Sequence, residues 1–97
     1  MTEQLRLSVE SGTVLRFAPH VKFRFDEVRQ AWIILAPERL LLPDEQAVET
    51  LRLIDGERDV DTVIEELVRR YEAPRDVIAG DVIAMLQDLC DKKVLRR

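Results

Sequence analysis

The stretch Ala31-Trp32-Ile33-Ile34-Leu35-Ala36-Pro37-Glu38-Arg39-Leu40-Leu41-Leu42-Pro43-Asp44 decides the fold, because the hydrophobic period changes within it. Ala31 to Ala36 is apolar at every position, which suits a strand covered on both faces. Pro37-Glu38 makes a tight connection, since proline fixes φ and donates no ladder hydrogen bond. Arg39 to Leu42 then reads as a short third strand, stopped by Pro43. From Asp44 onward the spacing is helical: Asp44 is a good N-cap, followed by Ala47, Val48, Leu51 and Ile54 on one stripe.

Upstream, Val21, Phe23 and Phe25 alternate with Lys22, Arg24 and Asp26, the mark of a strand with one buried face. Residues 27–30 are polar and form the hairpin loop. Residues 1–12 show no sustained period and are expected to be a mobile tail, leaving 13–97 as a single domain. Downstream, Asp55-Gly56 is expected to stop the first helix. Asp59 caps a second, whose stripe is Val60, Val63, Ile64, Leu67 and Val68, and Tyr71 closes it. Glu65→Arg69 and Glu66→Arg70 are favourable i,i+4 pairs on its wet face. Pro74 opens a third helix. Three strands followed by three helices predict an α+β domain, a winged-helix-like arrangement with a three-stranded antiparallel sheet.

The third helix has a wide apolar arc. At about 100° per residue, with Ile78 at zero, Leu89, Val82, Leu86, Ala79, Cys90 and Ile83 fall between roughly 20° and 140°, and Met85 near −20°. The arc of about 160° exceeds the roughly 100° that one neighbour requires. Either a thin domain wraps the helix on two sides, or the part around Ile83, Leu86 and Cys90 lines a groove for a partner. A sheet of three strands also has two edges, and an exposed edge can accept an extended peptide as a further strand.

Composition narrows the chemistry. The 97 residues carry a net charge of −4, from 15 Lys and Arg against 19 Asp and Glu, with 46% apolar and 35% charged residues. That balance suits one small folded domain. The longest uncharged apolar run, Ala31 to Pro37, is far below the ~20 residues of a membrane span, and residues 1–12 lack a signal-peptide core. A cytoplasmic location is therefore the default. One cysteine, Cys90, and one histidine, His20, allow neither an intrachain disulfide nor the usual zinc site. The paired carboxylates Asp44/Glu45 and Glu65/Glu66 read as caps and wet faces, since helix neighbours point about 100° apart. No acid–base pair with a mechanism emerges. Asp76, Asp81, Asp88 and Asp91 on the third helix argue against DNA, because phosphates would meet them at a cost.

Several motifs together carry a resemblance over roughly residues 14–92. They are Val14-Leu15-Arg16-Phe17-Ala18-Pro19, Val21-Lys22-Phe23-Arg24-Phe25-Asp26, Leu35-Ala36-Pro37-Glu38-Arg39, and Leu51-Arg52-Leu53-Ile54-Asp55-Gly56, followed by Val60, Ile64, Leu67, Tyr71, Asp81-Val82 and Leu86. This pattern resembles the PQQ biosynthesis protein D (PqqD) family. Three places depart from it. A glycine often stands where this chain has His20, Leu-Asn where it has Pro43-Asp44, and Gly-Trp where it has Lys93-Val94.

The resemblance implies a non-catalytic peptide chaperone of pyrroloquinoline quinone (PQQ) biosynthesis, which uses no metal or cofactor. Such a protein binds the precursor peptide PqqA and presents it to the radical S-adenosylmethionine (SAM) enzyme PqqE, which cross-links a Glu and a Tyr of the peptide. It also implies that the leader peptide adds as a strand along the third strand and packs on the third helix. Carried onto this chain, Arg39, Leu40, Leu41 and Leu42 supply the backbone edge. Ile83, Leu86, Gln87 and Cys90 line the helix side. Alternatives are a leader-recognition domain of another peptide-modifying pathway and a winged-helix DNA-binding protein. The free edge also permits a homodimer.

Overall fold

A computed structural model describes residues 8–97. Along the chain run β1 (Arg16–Phe17), β2 (Lys22–Asp26), β3 (Ala31–Ala36), β4 (Arg39–Leu41), α1 (Glu45–Leu51), α2 (Val60–Arg70), α3 (Arg75–Asp91) and β5 (Leu95–Arg96). The α+β architecture is as the sequence predicts, with the antiparallel sheet β2-β3-β4 followed by three helices. A second, two-stranded sheet pairs β1 with β5. Neither of those strands has a detectable period, because each is only 2 residues long.

The register of the main sheet sets its two faces. Phe25 lies opposite Trp32, Phe23 opposite Ile34, and Ile34 opposite Leu41, so these residues share the face toward the helices. Lys22, Arg24, Ile33, Leu35 and Leu40 occupy the other face. Ile33 and Ile34 point to opposite sides, yet both are buried, as the unbroken apolar run of β3 requires. The hairpin at 27–30 is held by Asp26, whose carboxylate accepts from the Val28 N–H and the Arg29 guanidinium.

The first two helices begin where the sequence places a cap, and α3 begins after Pro74 with no side-chain cap. The Asp44 and Asp59 carboxylates accept from the Ala47 and Thr62 N–H groups. The first helix is shorter than its stripe suggests: it ends at Leu51, and residues up to Ile54 continue in tight turns, Leu53 N–H to Thr50 O and Ile54 N–H to Leu51 O. Gly56 follows at φ +80°, and Asp55 accepts from the Glu57 and Arg58 N–H groups. The core lies between α2, α3 and the sheet, with Leu15, Leu51, Val60, Val63, Ile64, Leu86 and Val94 as its most enclosed side chains.

The expected tail at 1–12 falls partly outside the described residues. Within the described part, Val9 is buried in the core, and backbone bonds from Val60 to Thr13 and from Asp61 to Ser11 hold the segment against α2. At the other end, α3 stops in a paired carbonyl cap. Val94 donates to Leu89 O and Lys93 to Cys90 O, with Lys93 at φ +67° and Val94 fully enclosed. Lys93 and His20, at φ +71°, both hold the left-handed conformation. Those are two of the three positions where the sequence departs from the resembling family by lacking a glycine.

Two predictions follow from these local features. Lys93→Gly relieves a conformation that costs an L-residue roughly 1–2 kcal/mol, partly offset by the greater freedom of glycine in the unfolded chain, so it should stabilise the protein by about 0.5–1 kcal/mol, read from urea midpoints. Asp26, Asp55 and Asp59 hold their carboxyls below the ordinary aspartate value of 3.8, chiefly through the Arg29 guanidinium, the Arg58 N–H and the Thr62 hydroxyl respectively. Their contribution is present above that value and is lost as pH falls below it, through the lowered folded-state value. The urea midpoint should fall between about pH 5 and pH 3, and Asp59→Asn, which still caps, should flatten that fall.

Candidate functional site

β2 and β4 are the two edges of the main sheet, and β4 is the one that leads into the helices. It pairs with β3 on one side, and among the described residues no strand pairs with its outer side. Its side chains alternate as the register demands. Leu41 faces inward against the core opposite Ile34, whereas Leu40 is 39% and Leu42 63% exposed. Arg39 is exposed and, among the described residues, forms no side-chain hydrogen bond or ion pair. Pro43 ends the strand and Asp44 turns the chain directly into α1, so among the described residues no strand continues past this edge.

Beside this edge lies a groove of about 220 Å³. Leu41, Leu42 and Pro43 form one wall, Met85, Asp88, Leu89 and Lys92 of α3 form the other, and Ile34, Ala47 and Leu51 form the floor. Asp88 and Lys92 pair across one helical turn at 2.8 Å, placing an ion pair on the rim of an apolar slot.

The helix side therefore differs from the sequence expectation. Leu86 and Cys90, expected to line the groove, are core residues at 0% and 6% exposure. Ile83 is half-buried against the core and lies outside the groove lining. Gln87 serves the N-terminal segment: its Oε1 accepts the Val9 N–H at 2.9 Å, and its Nε2 donates to Asp91. The reason is the rotation of α3. The middle of the wide arc (Val82, Leu86, Leu89 and Cys90) fills the core, so the flank near Met85 faces β4. The Ile83–Gln87 flank looks away, toward Val9. Sequence reasoning missed Met85, Asp88 and Lys92. Met85 already stood at the edge of the arc, but periodicity alone does not say which edge meets the sheet.

Two further surface cavities complete the site's surroundings. One, of about 420 Å³, lies between α1, α2 and the first half of α3, and meets the groove at Ala47 and Met85. The other is an aromatic notch: Phe23 stacks between Phe17 and Trp32, and Arg52 lies over the Trp32 ring at 5.3 Å. Burial pushes the Cys90 thiol up, and the adjacent Asp91 adds to this. A thiol in that state is a poor nucleophile.

Comparison with known proteins fits this geometry. Residues 31–95, most of the sheet and all three helices, match the family model for coenzyme PQQ synthesis protein D (PqqD). The chain belongs to the PqqD family. It is 58% identical over 76 residues to a PqqA binding protein of Bradyrhizobium diazoefficiens, covering 78% of this chain and 74% of that one. A PqqA binding protein of Rhodopseudomonas palustris is 53% identical over 90 residues, covering 93% and 88%. Among solved structures, the PqqD truncation of Methylobacterium extorquens PqqCD superposes with a TM-score of 0.77 at 38% identity, covering 92% of this chain and 95% of that one. It is described as a functional, stand-alone recognition element for ribosomally synthesised and post-translationally modified peptides (RiPPs). The PqqD fold thus accommodates His20 and Lys93 at their left-handed positions.

The placement of Cys90 is open to a chemical test. Iodoacetamide at about pH 8 should label the folded protein at least tenfold more slowly than the urea-unfolded chain. Equal rates would place Cys90 at the surface.

Proposed function

We propose that this chain is a non-catalytic peptide chaperone of PQQ biosynthesis. It holds the precursor peptide PqqA as an added strand on β4 and presents it to the radical SAM enzyme PqqE. The observation that carries this reading is the unpaired edge of β4 beside an apolar groove walled by α3. Relatives identical at more than half of the aligned positions are PqqA binding proteins, and the superposed PqqD structure is a peptide recognition element.

Strand addition divides the labour. The backbone of Arg39 to Leu42 sets the register of the peptide, and alternate peptide side chains enter the groove against Leu41, Leu42, Met85 and Leu89. Arg39 and the Asp88–Lys92 pair supply polar contacts at the rim. The chain's part in the pathway is binding. Its thiol is buried, and His20 lines none of the three cavities. Holding PqqA beside PqqE raises its effective concentration at the enzyme without any chemistry by the chaperone.

Titration of the isotope-labelled protein with synthetic PqqA tests the reading. Saturable amide shifts are expected at Arg39 to Leu42 and at Met85 to Lys92. Met85→Glu, which puts a charge into the slot, should weaken binding at least about tenfold, while Gln87→Ala on the opposite flank should change it less than about twofold. In a reconstituted PqqE reaction Met85→Glu should slow PqqA cross-linking at sub-saturating peptide. Shifts confined to another surface would discard this site. A lack of shifts at high peptide excess, with and without PqqE, would discard PqqA as the ligand.

A further inference from the structure

The larger cavity, of about 420 Å³, lies outside the edge-and-groove site. Its walls are apolar: Leu67 from α2, Tyr71 just past its end, Ala73, and Val77, Ile78, Val82 and Met85 from α3. Two of these are unusually open to solvent, Tyr71 at 38% and Val77 at 52% exposed. Its charged lining consists of carboxylates alone, Asp44 and Asp81, with Gln46 beside them.

Among the described residues those carboxylates have no cationic partner, and the arginines at the end of α2 and the start of α3 are paired with other carboxylates. Arg70 is held by Glu49 at 2.6 Å and by Glu66 at 3.3 Å. Arg75 is held by Asp61 at 2.6 Å and by Glu65 at 2.5 Å. Among the described residues Asp44 accepts the Ala47 N–H as a helix cap but forms no ion pair, and Asp81 forms neither a hydrogen bond nor an ion pair. An apolar slot with an uncompensated negative rim complements one kind of side chain: a long aliphatic stem ending in a cation.

We propose that this cavity is a second subsite of the peptide, taking a lysine or arginine side chain. Its methylenes lie over Val77, Ile78 and Met85, and its head meets Asp81 and Asp44. The inference rests on the peptide-binding reading and extends it, because the cavity and the β4 groove share Ala47 and Met85. From Val77 to Lys92 the two together follow α3 for about 22 Å, which an extended peptide spans in about seven residues. The subsite therefore reads a basic residue lying several positions from the segment paired with β4.

Asp81 is the residue to change, since it is exposed and caps nothing, whereas Asp44 holds the start of α1. With PqqA as the probe, Asp81→Asn should weaken binding about three- to tenfold and Asp81→Lys further, both effects shrinking in about 0.5 M salt. Glu57→Gln, remote from both cavities, is the control. Replacing the basic residues of PqqA singly by norleucine should reveal one position whose loss matches that of Asp81→Asn and is not additive with it. The amides of Tyr71, Val77 and Asp81 should shift together with those of Arg39 to Leu42. Shifts at β4 alone, with Asp81→Asn binding as tightly as the wild type, would overturn this subsite and leave the strand-addition reading standing. An absence of shifts at both places would overturn the reading itself, and the subsite with it.

Discussion

The rotation of α3 about its own axis is the constraint on which the rest of the site depends. Val82, Leu86, Leu89 and Cys90 are enclosed among α2, β5 and the sheet, and a stripe so buried has no freedom to turn. A rotation of one residue, about 100°, would carry Leu86 toward solvent and Gln87 into the core. Fixing the stripe assigns the two flanks at once. The Met85–Lys92 flank forms the wall of the groove beside β4, and the Gln87 flank receives the Val9 N–H. The end of α3 is fixed as firmly, because Val94 is both the second residue past the cap and a core side chain. Lys93 accepts a left-handed backbone to make that possible.

Most of the architecture is legible in the sequence because its signals are local. Alternation at Val21 to Asp26, the unbroken run at Ala31 to Ala36, Pro37 and Pro43 as breaks, and Asp44 and Asp59 as caps each rest on a few neighbouring residues. Elements closed by partners far along the chain leave no such trace. The pairing of β1 with β5 joins Arg16 to Arg96, and neither two-residue strand has length enough for a pattern. Val9 sits in a polar, aperiodic stretch, yet it packs because Gln87 satisfies its amide. Ile54 keeps helical spacing beyond the end of α1, since tight turns carry it to the core as well as a longer helix would.

The edge half of the candidate site was readable for the same reason. A strand bounded by two prolines and placed last in the sheet order has a free side, and Arg39 to Leu42 occupy it. The helix half was not. An arc of about 160° has two flanks, and hydrophobicity does not distinguish the one that meets β4 from the one that meets Val9. That choice is made by the packing of α3 on α2 and β5, a tertiary fact. Side-chain bonding follows the same division. The arginines of α2 and the start of α3 pair with carboxylates of α1 and α2, while Asp81 is left facing an open cavity.

If a peptide adds to β4 as proposed, the shortness of that strand makes the groove beside it necessary. Three residues of edge strand offer on the order of two to four backbone hydrogen bonds to an added strand, each worth about 0.5–1.5 kcal/mol net. Association costs about 4 kcal/mol or more in lost freedom, so those bonds set register without sustaining a complex. The same arithmetic limits self-pairing: two copies meeting edge to edge through β4 alone would gain too little to persist. A peptide gains the remainder only if its side chains leave water, and the apolar slot between Leu41, Leu42 and Met85 is where they can do so. A short edge beside a shaped groove therefore selects for side chains. A long bare edge would accept any extended chain, including a second copy of itself.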